Sequence, residues 1–175
     1  MLTPEERRRA RVALATRGLR LTMEAPGMIT PAVIEPAAAL PHLTIARVGD
    51  TRTRRHFSQV MSAAFGVPID MSEDVYCSES LWRSAMVGWI GSLRGEPVTT
   101  AAAISTSESI GMYAVATQPN FQRRGYAEAI MRHAISTASG DVGITRTILQ
   151  SSNAGYPLYV RMGYRAITRY FVYIK

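Results

Sequence analysis

"TQPNFQRRGYAEAIMRHAI", Thr117 to Ile135, decides the fold, because the hydrophobic period changes inside it. The residues leading into it, "SIGMYAVAT" (109–117), read as a strand. After Gly125 the period becomes 3.6: Ala127, Ile130, Met131, Ala134, Ile135 and Ala138 share one helical face, and Glu128, Arg132 and Ser136 the other. Between strand and helix stand Gln122, Arg123, Arg124 and Gly125, a loop rich in donors. The first turn of a helix has unpaired N–H groups and the positive end of the dipole, so this junction suits an anion. Gly125 lets the backbone approach closely, and small Ala127 lets the helix start near the sheet. Gln122 to Ala127 therefore fits a pyrophosphate. The dinucleotide fingerprint, which needs three glycines, is absent from this junction.

Working outward, "HLTIARV" (42–48) alternates as a strand, and "TRTRRHFSQVMSAAF" (51–65) reads as a helix with Phe57, Val60, Met61 and Ala64 inward. "MVGWIGSL" and "PVTTAAAIS" flank an "RGEP" turn, an antiparallel hairpin. "ITRTILQ" (144–150) is a buried strand, Pro157 opens a short helix that Gly163 ends, and "YRAITRYFVYI" closes with one or two strands. Strands mixed with helices in this order predict a mixed α/β sheet. Ahead of it, Thr3, Pro4 and Glu6 form a helix start with a capping box, and "LRLTMEA" (19–25) reads as a strand. Four prolines between residues 26 and 41 predict an irregular linker. We therefore expect residues 1–40 as an accessory helix, strand and linker, and 41–175 as the main domain.

The composition sets wider bounds. The 175 residues are 47% hydrophobic and 19% charged, ordinary for a globular domain, and carry a net charge of +7, nearly all arginine. That balance favours an anionic ligand without choosing it. Cys77 is the single cysteine, so no intrachain disulfide forms and a reducing compartment is expected. The absence of a long apolar run or signal-like segment gives a cytoplasmic expectation and no membrane partner. His42, His56 and His133 show no metal spacing, so no metal is expected. The "ERRRARVALATR" segment reads as an amphipathic packing helix with a basic face rather than a nucleic-acid reader, for want of interleaved aromatics.

"QRRGYA" resembles the Gln/Arg-x-x-Gly-x-Gly/Ala motif of the GNAT N-acetyltransferase superfamily, "VAT" (115–117) its splayed strand, and "SSNAGYPLYVRMGYRAI" its second signature. The resemblance covers residues 42–175. It implies a mixed, mostly antiparallel, splayed central sheet flanked by helices, the acyl-CoA N-acyltransferase fold, with acetyl-CoA as cosubstrate. By position, it implies that Val115, Ala116 and Thr117 meet the pantetheine arm through their backbone. It implies that Gln122, Arg123, Arg124, Gly125, Tyr126 and Ala127 cradle the pyrophosphate, that Asn153 or Ser152 contacts CoA, and that Tyr159 protonates the departing thiolate. The strand-borne Glu that the family uses as base is replaced here by Gly111, which leaves Glu108 as the nearest acid, or a water relay.

Each role has a plainer rival. Arg123 and Arg124 could be a solvated pair, Tyr159 a core aromatic like one of Tyr156, Tyr164 and Tyr170, and Asn153 a helix cap. The acidic group Asp70, Glu73, Asp74 and Glu79 falls where the family builds its acceptor wall, or is a solvated loop. The function expected is transfer of acetyl from acetyl-CoA to a primary amine of a small molecule or peptide, with a homodimer left open. The alternative is a non-catalytic CoA-binding or regulatory protein of the same fold.

Overall fold

A computed structural model describes residues 3–83 and 85–175. One seven-stranded sheet, in the order β2-β3-β4-β5-β6-β1-β7, organises them. Its strands are β1 (Arg20–Thr30), β2 (Thr44–Arg47), β3 (Met86–Leu93), β4 (Glu96–Ser105), β5 (Ile110–Thr117), β6 (Thr147–Gln150) and β7 (Arg165–Ile174). Every neighbouring pair is antiparallel except β5 with β6, so the sheet is mixed, mostly antiparallel and open, as the motifs implied. Helices α1 (Pro4–Ala15), α2 (Thr51–Phe65), α3 (Ile69–Tyr76), α4 (Glu79–Arg83), α5 (Tyr126–Val142) and α6 (Tyr156–Arg161) complete the chain.

Local chemistry explains the joints. Arg94 and Gly95 both take positive φ (52° and 86°), and the resulting two-residue loop pairs Leu93 with Glu96 in the β3–β4 hairpin. Asp50 caps α2 by accepting from the Thr53 N–H at 2.7 Å, and left-handed Gly66 ends it. The apolar face of α2 buries Phe57, Val60 and Met61 against Ile90, Ala102 and Ala116 on one side of the sheet. On the other side α5 buries Ile130, Met131, Ala134, Ile135 and Ala138 against Ala101, Ala103, Ile110 and Met112. At about 25 cal/mol per Å² of apolar surface, such burial is the main stabilising term on both faces.

Three departures from expectation are informative. β1 runs on through Pro26 to Thr30, where an irregular linker was expected. The Ser151 N–H donates to the Pro26 carbonyl at 3.0 Å, which exploits the acceptor a proline retains while its missing donor costs no bond. β1 also lies inside the sheet, paired on both edges, so the first 40 residues contribute a strand to the same sheet as the rest. Helix α1 forms its capping box, with Thr3 and Glu6 exchanging bonds of 2.7 and 3.2 Å. Yet it buries no residue, so it is not the packing helix its spacing suggested; local bonds and the Glu5–Arg9 contact at 3.2 Å hold it. Among the described residues no helix is long and apolar enough to cross a membrane, and no group of His, Cys, Asp and Glu could hold a metal.

Candidate active site

The site begins with a defect in β5. Along β4 the register slips between Thr100↔Ala116 and Ala102↔Tyr113, and Ala114 takes φ 47°, so Ala114 and Val115 form a bulge. Thr100 and Thr99 hold the bulged strand from the β4 side, their hydroxyls donating to the Ala114 and Ala116 carbonyls at 2.9 and 2.7 Å. On the other side β5 pairs with β6 only as far as Met112↔Leu149. Beyond that pair the two strands part, and the backbone of Val115 to Thr117 lines the gap.

The expected anion loop sits at the end of this gap. Gln122 is anchored by donating through Nε2 to the Thr117 carbonyl at 3.1 Å, and Arg123 turns the loop with φ 62°. Gly125 stands at the N-cap of α5 with φ 83° and offers no capping side chain to the N–H groups of the first helical turn. A Cβ at Gly125 would lie 3.0 Å from Cδ of Pro41, so backbone and space both require glycine.

Tyr159 approaches from α6. Its ring packs edge-on against Tyr164 with centroids 5.9 Å apart, and only 7% of the residue is exposed. Burial pushes its phenol up to about 12. The two tyrosines differ in their surroundings. The Tyr164 hydroxyl accepts from Thr147 Oγ1 at 2.6 Å in the core, while the Tyr159 hydroxyl has no protein partner among the described residues and lines the cleft. Gly155 makes room for it, since a Cβ there would lie 2.8 Å from the Tyr159 ring.

Strand, loop and tyrosine thus meet in one cleft of about 340 Å³. Val115, Ala116, Thr117, Gln122, Arg123, Gly125, Tyr126, Ala127 and Tyr159 all line it. Three expected residues do not. Arg124 lies over the Phe121 ring, 5.9 Å from its centroid. Asn153 is exposed and caps nothing; its neighbour Ser152 lines the cleft and accepts from the Gly155 N–H at 3.1 Å. Glu108 occupies an exposed turn ahead of β5, its N–H bonded to Thr106 at 3.2 Å. It stands two residues ahead of Ile110, where β5 begins.

The acidic group also lies off the cleft: Glu73 faces Arg55 at 3.9 Å and Glu79 pairs with Arg83 at 2.9 Å. Sequence reasoning missed Phe65 at the end of α2, Arg161 on α6 and Glu128 on α5, all of which line the cleft. Phe65 carried a signal, a large aromatic just before a helix-ending glycine, with nothing to bury it. Glu128 is the carboxylate of the cleft lining, and Arg132 holds it from two nitrogens at 3.0 and 2.8 Å.

Comparison with known proteins bears on the fold. Residues 84–166 match the family model described as an acetyltransferase (GNAT) domain. Among solved structures, a GCN5-related N-acetyltransferase from Kribbella flavida superposes with TM-score 0.63 at 19% identity, over 90% of this chain and 60% of that one. An aminoglycoside acetyltransferase from an uncultured soil metagenomic sample gives TM-score 0.63 at 16% identity, over 73% of this chain and 95% of that one. The enzyme AAC(6')-Iy, solved with a bisubstrate analogue joining CoA to acetylneamine, gives 0.62 at 16%, over 77% and 99%. At these identities the likeness is one of fold. No curated protein matches the chain.

Proposed function

We propose, from the premise that this chain carries a GNAT acetyltransferase domain, that it moves an acetyl group from acetyl-CoA directly to a primary amine. One observation carries the reading: a parted strand end, an uncapped helix N-terminus and an unpartnered tyrosine hydroxyl, distant in sequence, converge on one cleft. In this reading the first-turn N–H groups of α5, with Gln122, Arg123 and Gly125, hold the pyrophosphate. An anion at a helix N-terminus gains about 0.3–1 kcal/mol on the surface and about 2 when partly buried. The Val115–Thr117 backbone aligns the pantetheine amides in the splay and aims an N–H at the thioester carbonyl.

The amine nitrogen attacks the carbonyl carbon; the C–N bond forms, the C–S bond breaks, and the electron pair leaves on sulfur. Tyr159 donates to that sulfur, and the surplus amine proton passes to solvent. A phenol at about 12 is a poor acid for a thiolate near 8.5, so full transfer is uphill by about 5 kcal/mol. Tyr159 therefore acts by a hydrogen bond that strengthens as charge builds on sulfur.

A second reading keeps CoA binding without turnover. What favours it is the state of Glu128: the cleft lining holds no carboxylate free of an ion pair among the described residues. One experiment separates the two. Thiol release from acetyl-CoA, measured across small primary amines and peptide N-termini with mass detection of the product, rises above hydrolysis for an enzyme. CoA binding with no amine-dependent release refutes the transferase reading.

A further inference from the structure

The faces of β5 alternate, so with Ile110 and Met112 packed under α5, Gly111 and Tyr113 face the opposite side. Tyr113 folds back along its own strand: a Cβ built on Gly111 would lie 2.8 Å from Cε2 and 2.9 Å from the hydroxyl of Tyr113. The position that lacks a side chain is thus filled by the phenol two residues later. Tyr113 is also the first residue past the last β5–β6 pair, Met112↔Leu149, so it stands at the mouth of the splay. On the α5 side the sheet is covered by a core that includes buried Ile130, Met131 and Met162. On the Tyr113 side the residues at the splay are exposed.

Beyond α2, which covers Ala114 and Ala116 on this side, the surface is open and apolar. Register carries it from Gly111 to Ile148 on β6 and on to Ile29 of β1. Tyr113, Ile148 and Tyr170 expose 45%, 37% and 45% of their surface. Tyr170 repeats the device of Tyr113, its ring lying 2.7 Å from the place of a Cβ on Gly27. Strand alternation puts no Asp or Glu on this face of β5, β6, β1 or β7. Glu24 falls on the other face, held by Arg169 at 3.2 Å, and the charged residue that register does bring here is Arg165, opposite Ile29. These four strands give the face an aromatic floor and no carboxylate.

Resting on the transferase reading, we propose that Tyr113 is the specificity residue of the acceptor side, and that it receives a primary amine carried on an aromatic or apolar body. Its ring supplies the contact, and a single ammonium or amine group is left to reach the splay. Polyamines find no carboxylates on these strands and meet Arg165.

The test uses the full chain saturated with CoA, and calorimetric binding of phenethylamine and of spermidine as probes. Phenethylamine should bind at least tenfold more tightly than spermidine. Tyr113→Ala should weaken phenethylamine by tenfold or more, Tyr113→Phe by less than threefold, and Gly111→Ala should weaken it by displacing the ring. The CoA-induced melting shift should stay unchanged in all three, which also verifies their folding. Equal phenethylamine binding in Tyr113→Ala, a preference for spermidine, or no phenethylamine binding to the parent overturns the proposal. So does a loss of self-association in Tyr113→Ala without loss of phenethylamine, which would assign the face to a second copy of the chain. Turnover of other amines without phenethylamine binding defeats this proposal alone, whereas binding without any thiol release defeats the transferase reading alone.

Discussion

Replacing Tyr159 by Phe removes one oxygen from a side chain whose ring does separate work. The ring is packed against Tyr164 and under the backbone of Gly155, so Phe keeps those contacts. The hydroxyl has no protein partner among the described residues, so its loss orphans no donor or acceptor there, and the melting temperature should move by less than about 2 °C. Turnover should respond strongly. A hydrogen bond to a charged group contributes about 1.5–3 kcal/mol, and here it is made chiefly as charge develops on sulfur. At about 1.4 kcal/mol per decade this lowers kcat by roughly 10- to 150-fold, with the KM for acetyl-CoA little changed. Steady-state kinetics and a melting curve on the same preparation provide the check. A kcat within about twofold of the parent, or a fall in kcat explained by lost folded protein, refutes the reasoning.

Other expectations follow from the same geometry. Arg123→Glu should remove most of the melting shift given by acetyl-CoA, and Arg124→Glu much less, because Arg123 lines the cleft whereas Arg124 lies over Phe121; thermal scans with and without ligand compare them. Gly125→Ala should cost about 1–2 kcal/mol for its left-handed φ of 83° and weaken acetyl-CoA binding as well, measured by denaturant melts and calorimetry. Burial raises Tyr159 from an ordinary phenol to about 12 and raises Tyr164 further, so both favour the folded state's neutral form. Their stabilising effect is whole below pH 10 and is lost as pH climbs from there through the folded values, by about 3 kcal/mol for Tyr159; Tyr159→Phe should flatten that alkaline decline in a pH series of denaturant melts. Removing residues 1–30 should abolish cooperative unfolding rather than merely trim stability, since it deletes β1 from between two partners, and circular dichroism would show a native-like truncated chain if this is wrong.

What could be read from the sequence was whatever local periodicity or local chemistry carries. The switch from period two to 3.6 across Gly125 located β5, the loop and α5, and the glycine and tyrosine of the second signature located α6. Those residues converge because short loops leave little choice of packing. The position of β1 was not legible, because nothing local in "RLTMEAPGMIT" says which strands it will pair with, and Pro26 reads as a breaker unless the partner needs only its carbonyl. Nor could sequence separate Tyr159 from Tyr164; both are buried, and the difference lies in whether Thr147 reaches the hydroxyl. Adjacent Arg123 and Arg124 look equivalent on paper, and the turn with φ 62° sends them to different surroundings. Glu108 was proposed on proximity in number, and it lies in the turn ahead of β5, outside the cleft lining.

The place of β1 between β6 and β7 bears on how the chain reaches its native state. Thr22 donates to the carbonyl of Val172, 150 positions away, so the ladders on both sides of β1 close only across most of the chain. During synthesis β1 leaves the ribosome with neither partner made, and an unpaired strand that is to be covered on both edges is a template for the wrong neighbour. The strands β2 to β5 pair by short steps and can assemble early, whereas the other half of the sheet must wait for β7. Contacts this remote slow folding, because the closure entropy of most of the chain is lost before either ladder of the first strand forms.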